Sequence, residues 1–243
     1  WIGLPTTLLA MVDSGLGGKT GADLPEGKNL VGAFHPPALV LADTDALASL
    51  PVRELRCGLA EAVKHAVIAD PALLDALPRF AFCGGPSAPA TGAPLADAGW
   101  LPSFVARAMA VKVRVIQQDP YEKGFRAALN LGHTIGHGVE KATHFAVQHG
   151  EAVALGTVLE ARLAESLGIA RPGLADELAR IFGGLGLPTA MPDGVAVADV
   201  LAAITLDKKK AGGKVRFALP ADFGDVRVGV TVDDDALSRV LTA

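Results

Sequence analysis

The spacing of apolar positions changes character along the chain. Over the first 45 residues the apolar runs are short and separated by Gly- and Pro-rich loops. Trp1-Ile2-Gly3-Leu4 stops at Pro5, and Thr6-Thr7 stand before Leu8-Leu9-Ala10-Met11-Val12 as a threonine cap stands before a helix. A Gly-rich loop (13–20) and a polar loop holding Pro25, Gly27, Lys28 and Asn29 follow, and 38–42 is a short buried-strand candidate ending at Asp43. Beyond Asp43, Leu47, Leu50, Leu55, Leu59, Val63, Val67 and Ile68 recur at helical spacing, interrupted by Pro51. Further helices are predicted over 101–118, 131–143, 151–167, 174–182 and 195–206. Residues 214–219 and 226–232 alternate as a hairpin pair, and 233–241 closes the chain as a helix with an acidic first turn. The stretch 79–100, rich in Gly, Pro, Ala and Ser and nearly uncharged, reads as a loop or insertion that is expected to be mobile.

Composition narrows the class. A chain of 243 residues can bury a real core as one large domain or two small ones. Half of it is hydrophobic, from Ala, Leu and Val rather than from aromatics, and the mean hydropathy is +0.37, which excludes a disordered chain. No run of about 18 apolar residues is free of charge, Gly and Pro, so no membrane span is expected. The net charge of −4 argues against a general nucleic-acid binder. Cys57 and Cys83 lack CxxC spacing and read as ordinary thiols of a reducing cytoplasm. Trp1 rather than Met opens the chain, with no signal peptide ahead of it, so the chain is expected to be part of a longer product.

Chemistry concentrates in a few places. In Asn130-Leu131-Gly132-His133-Thr134-Ile135-Gly136-His137, the two histidines at i and i+4 share one helix face, a metal-ligand spacing that two hydrogen-bonded histidines would equally satisfy. His149 adds a third imidazole at a helix start, and four of the six histidines fall within 133–149. There is no HExxH, so a zinc-protease reading lacks its base. Glu61 and Lys64 lie on the otherwise apolar helix GLAEAVKHAVI, where an unpaired charge is expensive to bury. They form either a surface i,i+3 pair or a carboxylate ligand beside a substrate-binding lysine. Two His and one Glu would leave an open position, as catalytic zinc needs. Lys19, Lys28, Lys64, Lys112, Arg126 and Lys208-Lys209-Lys210 together suit a small polyanion carrying phosphate and carboxylate, although each alone reads as a solvated charge. The segment GLGGKT lacks the GxxxxGK[ST] spacing of a nucleotide-binding P-loop, and Asp13 before it either orients a hydroxyl or caps the turn.

Four segments carry a resemblance. PTTLLAMVDSGLGGKTGADLPEGKNLVGAF, LPVREL-x-CGLAEAVKHAVI, EKGFRAALNLGHTIGHGVE and HGEAVALG resemble, in order, the signature blocks of the 3-dehydroquinate synthases, zinc- and NAD-dependent sugar phosphate cyclases of the shikimate pathway. The resemblance implies zinc ligands at Glu61, His133 and His149, with cobalt as a possible substitute metal, and moves His137 to the substrate side. It implies substrate contacts at Asp13, Lys19, Asn29, Lys64, Lys112, Arg126, Asn130 and His137, and a further phosphate contact at Lys208 or Lys209. Thr6, Thr7, Lys19, Lys28, Ala46, Leu47, Ala48 and Ser49 match NAD-contacting positions. The implied reaction turns 3-deoxy-arabino-heptulosonate 7-phosphate into 3-dehydroquinate and phosphate by transient oxidation, elimination, reduction and aldol closure.

The implied fold is mainly α with a short α/β N-terminal portion: residues 1–45 as the end of an NAD-binding domain and 46–243 as a mostly helical zinc- and substrate-binding domain. A cytoplasmic homodimer acting on a small sugar acid phosphate, without nucleic-acid or membrane partners, is implied as well. The family's N-terminal NAD-binding half does not occur in residues 1–243, and a full-length chain is expected to supply it. The competing readings are a sugar phosphate cyclase making another cyclitol, a metal-dependent alcohol or glycerol dehydrogenase on the same architecture, and a remnant that works only with a partner NAD domain. Product identity separates the first two, and tight NAD binding by this chain counts against the third.

Overall fold

The computed structural model describes residues 1–24, 27–85, 87–210 and 215–242; the side chains at 19, 22–24, 27–30 and 207–210 fall outside that description. Its centre is the helix opened by Pro51. Proline has no backbone N–H to leave unpaired at a helix start, and α1 (Val52–Ile68) follows directly. Every residue of α1 except Arg53, Glu54 and Arg56 is buried, as a helix that is apolar nearly all round demands. Against it pack α2 (Leu101–Gln118) and a 3-10 segment at Pro71–Cys83. The helix α3 (His133–Ala142) lies along α4 (His149–Ser166), which also lies against α1. Beyond them, α5 (Leu174–Gly184) packs on α4 and α6 (Val197–Lys210) on α3.

The strands are few and local. Ile2–Gly3 (β1) pairs in parallel with Leu39–Val40 (β4), and Lys19–Leu24 (β2) forms an antiparallel hairpin with Gly27–Phe34 (β3), Lys19 facing Phe34. Near the C-terminus, Arg216–Asp222 (β5) and Asp225–Thr231 (β6) form a second antiparallel hairpin, and α7 (Asp234–Thr242) returns onto α4 and α6. The architecture is mainly α with a short α/β N-terminal portion, as expected. No helix among the described residues is long and apolar enough to cross a membrane.

The predicted helices and the C-terminal hairpin are present with ends moved by a few residues. Thr7 caps the N-terminal helix, its Oγ1 accepting the Ala10 N–H at 3.1 Å before the chain widens into a π turn at Ala10–Ser14. Three expectations differ from the structure. The loops at 13–20 and around 25–29 contain the β2–β3 hairpin, whose Gly-rich strands lack the apolar alternation that marks a half-buried strand. The candidate at 38–42 is a strand only at 39–40, with one partner, so Leu39 and Leu41 stay exposed. The described residues of 79–100 are packed rather than loose. Phe80, Cys83 and Leu95 are buried, Trp100 stands edge-on to Phe80 at 5.0 Å, and the Gly92 N–H donates to the Leu50 carbonyl at 2.8 Å. The Gly/Pro count misled because a few aromatic side chains supply the apolar area that orders a segment.

Candidate metal and substrate site

Backbone contact between helices brings the candidate residues together. Gly150, at the start of α4, sits against α1 so closely that a Cβ there would fall 2.2 Å from the Cys57 Cα. Cys57 lies one turn before Glu61, so His149 is delivered opposite the Glu61 carboxylate. The α3 helix brings His133 to the same spot. Glu61 Oε1 is 3.4 Å from His149 Nε2 and 3.7 Å from His133 Nε2.

Both imidazoles are oriented from behind. His133 Nδ1 faces the Leu131 carbonyl at 3.0 Å and His149 Nδ1 faces Glu140 Oε1 at 2.9 Å, which turns both Nε2 atoms toward Glu61. Neither oxygen of the buried Glu61 carboxylate makes an aligned hydrogen bond, although Lys64 Nζ pairs with it as an ion. Ligands about 2 Å from a tetrahedral zinc lie about 3.3 Å from one another. The Glu61, His133 and His149 atoms are spaced for such an ion, and two imidazoles with one carboxylate suit a divalent cation with an open position. His137 stands beside this set, its ring 5.2 Å from that of His133 and 6.0 Å from that of His149.

Charge is balanced locally. Burial would raise the Glu61 carboxyl, but Lys64 and the His149 and His133 imidazoles hold it well below the usual carboxylate range. Burial, with the Lys64 charge, pushes His133 down to about 3, leaving it neutral and able to ligate. Burial also works against the charged form of His149, yet its hydrogen bond to Glu140 and the neighbouring Glu61 and Glu140 charges raise it to about 9, so a cation binding there would displace a proton.

A cavity of about 300 Å³ opens beside this cluster, lined by Asp13, Lys64, Lys112, Arg126, Asn130, His133 and His149 together with Ser14, Leu16, Glu122 and Leu129. The π turn at Ala10–Ser14 places Asp13 between two helices. Lys112 Nζ donates to Asp13 Oδ1 and to its carbonyl oxygen, both at 2.7 Å, and Lys64 Nζ lies 4.0 Å from Oδ1 while donating to the Leu129 carbonyl at 2.9 Å. Burial and the Glu61 charge push the Asp13 carboxyl up, but the two ammonium groups outweigh them and hold it below its ordinary value. Burial draws Lys112 down. Arg126 is buried, its guanidinium donating to the Pro120 carbonyl at 2.6 Å, and Asn130 donates to Glu122 Oε1 at 3.1 Å.

The structure therefore gathers Asp13, Glu61, Lys64, Lys112, Arg126, Asn130, His133, His137 and His149. The Lys19, Lys28, Asn29, Lys208 and Lys209 side chains lie outside the described residues. Thr6, Thr7, Ala46, Leu47, Ala48 and Ser49 do not line this cavity. Thr6 and Ser49 are exposed, whereas Leu47 is buried in the core and offers a ligand no side chain. Three residues were missed from sequence: Glu140, which orients His149; His65, fully buried with neither ring nitrogen bonded; and Glu160, a buried carboxylate on α4. Only an acidic residue among apolar neighbours, as in VLEAR, could have flagged Glu160.

Known proteins are similar to this chain in sequence and in fold. Residues 58–210 match the family model for the C-terminal part of 3-dehydroquinate synthase and residues 1–57 the model for its N-terminal part. The 3-dehydroquinate synthase of Synechococcus sp. is 44% identical over 100% of this chain, and that of Xanthomonas campestris pv. campestris is 45% identical over 98%; the chain spans 64% of each. Among solved structures, 2-epi-5-epi-valiolone synthase from Streptomyces hygroscopicus subsp. jinggangensis, with NAD+ and Zn2+ bound, superposes with a TM-score of 0.83 at 29% identity, covering 100% of this chain and 65% of that one. The C-terminal family model alone covers most of the chain, Glu61, His133 and His149 included, and the chain belongs to the 3-dehydroquinate synthase family.

Proposed function

We propose that this chain carries the metal- and substrate-binding part of a 3-dehydroquinate synthase, which converts 3-deoxy-arabino-heptulosonate 7-phosphate to 3-dehydroquinate and phosphate. The observation that supports this most directly is the meeting, around one cavity, of the Glu61–His133–His149 cluster with Lys64, Lys112 and Arg126. Such a cavity pairs a cation for vicinal hydroxyls with fixed charges for a carboxylate and a phosphate. Glu61, His133 and His149 would hold a zinc ion. Thr6, Thr7, Lys19, Lys28 and the 46–49 turn would face NAD. When bound, the ion would acidify a substrate hydroxyl and the nicotinamide would exchange a hydride with the carbon beneath it.

The chain's own residues position and neutralise. Lys64 is fixed between Glu61 and the Leu129 carbonyl and Lys112 is fixed by Asp13, so neither ammonium needs to reorganise when an anion arrives. Arg126, locked against Pro120, would serve the carboxylate; Lys19, Asn29, Asn130, His137 and one of Lys208 and Lys209 would serve the phosphate. Once the substrate carries a ketone, the neighbouring C–H is acidified and phosphate can leave, its charge met by these cations. The reading carries with it a homodimer in the cytoplasm, where two free buried thiols are at home.

The deciding experiment is phosphate release from the heptulosonate phosphate with zinc and NAD supplied, with the product identified by NMR. Equimolar phosphate and 3-dehydroquinate with no net NADH is the expected outcome. Net NADH without phosphate would mark a dehydrogenase instead. A different cyclitol would mark the second reading, a sibling cyclase, which the structural match to the valiolone synthase favours. Failure of this chain alone, with turnover restored by a fragment supplying the first third of a relative, would assign the missing step to NAD binding.

A further inference from the structure

Glu160 lies on α4 three turns beyond His149 and is fully buried. Its carboxylate faces the start of α3 rather than a counter-charge. Oε2 accepts the Gly132 N–H at 2.6 Å and Oε1 accepts the Ile135 N–H at 3.2 Å, with the Thr134 N–H also bonded to the group. The first N–H groups of a helix have no partner within it, and a buried helix start must find them elsewhere. No flanking side chain caps α3, which begins from Gly132 at φ +78°. A carboxylate from the neighbouring helix does so instead, at the positive end of the helix dipole.

The two helices touch backbone to backbone here. A Cβ on Gly156 would fall 2.0 Å from the Gly132 carbonyl oxygen. Contact this close still allows α3 to roll or slide along α4, and a two-oxygen grip on Gly132 and Ile135 removes both freedoms. Successive residues point about 100° apart around a helix, so a small roll at this end would carry His133 away from Glu61. We propose that Glu160 is a positioning residue: by gripping the first turn of α3 it sets the direction in which His133 and His137 enter the site. This rests on the reading of Glu61, His133 and His149 as a cation site. Glu160 touches neither the ion nor the substrate and acts through the helix.

The test compares Glu160→Ala, which removes both acceptors, with Glu160→Gln, which keeps one and turns an amide N–H toward a backbone N–H. Leu178→Ala, a core truncation on α5, serves as a control for general destabilisation. Co2+ affinity and the visible spectrum of the bound ion are measured in the whole chain, together with amide hydrogen exchange at Gly132–Ile135 without metal. The expected result is Co2+ binding about 10–100-fold weaker in Glu160→Ala and about tenfold weaker in Glu160→Gln, with an altered spectrum. Exchange at Gly132–Ile135 should speed up at least tenfold, and Leu178→Ala should leave all three readouts unmoved. Unchanged affinity and exchange in Glu160→Gln, or an equal loss in Leu178→Ala, would overturn the proposal. Should Glu160→Ala fail to fold, Glu160→Gln decides. A parent chain that binds no Co2+ removes the cation-site reading, and the exchange rates then decide by themselves whether Glu160 holds α3.

Discussion

Two regions of this protein break the rule of apolar inside and polar outside in opposite directions. Around α1, α3 and α4, ionisable groups are buried: Glu61, Lys64, Glu140 and Glu160, each with a partner of opposite charge or with backbone N–H groups. Along β1, β4 and the β2–β3 hairpin, apolar side chains stand in the open: Trp1, Ile2, Leu4, Val31, Phe34, Leu39 and Leu41. The first region spends stability on position. A buried ion pair contributes little net stability, because desolvation cancels most of the attraction, but removing one partner is costly. The second region spends nothing of the kind. Its strands pair through backbone bonds and the Thr20 hydroxyl, which donates to the Ala33 carbonyl at 2.7 Å, and the exposed apolar side chains have no facing layer among the described residues.

The comparison predicts unequal responses to mutation. The largest effect should come from Gly150→Val, since the added Cβ meets the Cys57 backbone at 2.2 Å and backbone cannot step aside. Chemical denaturation should show a loss above about 4 kcal/mol or no folded protein. Wild-type stability in that variant would mean α1 and α4 are not in contact.

Next comes a pair that separates position from stability. Glu61→Ala and His149→Ala should both abolish zinc retention measured by metal analysis after dialysis. Only Glu61→Ala removes the nearest counter-charge of buried Lys64, leaving it Asp13 at 4.0 Å and the Leu129 carbonyl, at a cost of up to about 3–5 kcal/mol. Equal stabilities for the two variants would show that Asp13 and the Leu129 carbonyl suffice to hold the Lys64 charge, and retained zinc in either would remove that residue from the ligand set.

A smaller effect concerns pH. Burial pushes the Glu160 carboxyl up to about 8, against an ordinary value of 4.5. The folded state then holds this proton more tightly than the unfolded chain does, so its contribution is full below about pH 4.5 and is lost as pH rises through 8. Melting temperatures of the metal-free parent should fall over that window relative to Glu160→Gln. Parallel profiles would place the carboxylate in a better-solvated setting.

The smallest effect belongs to the exposed strands. Phe34→Ser changes a side chain that is 75% exposed and should move stability by less than about 0.5 kcal/mol. A clearly larger loss would reveal a partner surface for the hairpin.

The difference between the regions also explains what could be read from the sequence. Helices α1 to α7 were legible because each must bury a stripe, and a stripe is written into residue spacing. The β2–β3 hairpin was not, since its Gly-rich strands carry no apolar alternation in the sequence. The stretch 79–100 was misjudged because the order there comes from Phe80 and Trp100 meeting in space, which composition does not record.

The candidate site divides along the same line. The sequence by itself determined the helical body, the i,i+4 pair His133 and His137, the isolated charges Glu61 and Lys64 on an apolar helix, and, through its signature segments, the family. Tertiary structure alone decided that Glu61 Oε1 lies 3.4 Å from His149 and 3.7 Å from His133, that Asp13 is held by Lys112, and that Glu140 and Glu160 support the histidines from behind. The physical reason is range. Periodicity records which face of one element is buried, whereas a site assembled from residues as distant in sequence as Asp13 and His149 depends on how closely separate helices approach, and glycines at the crossings set that distance.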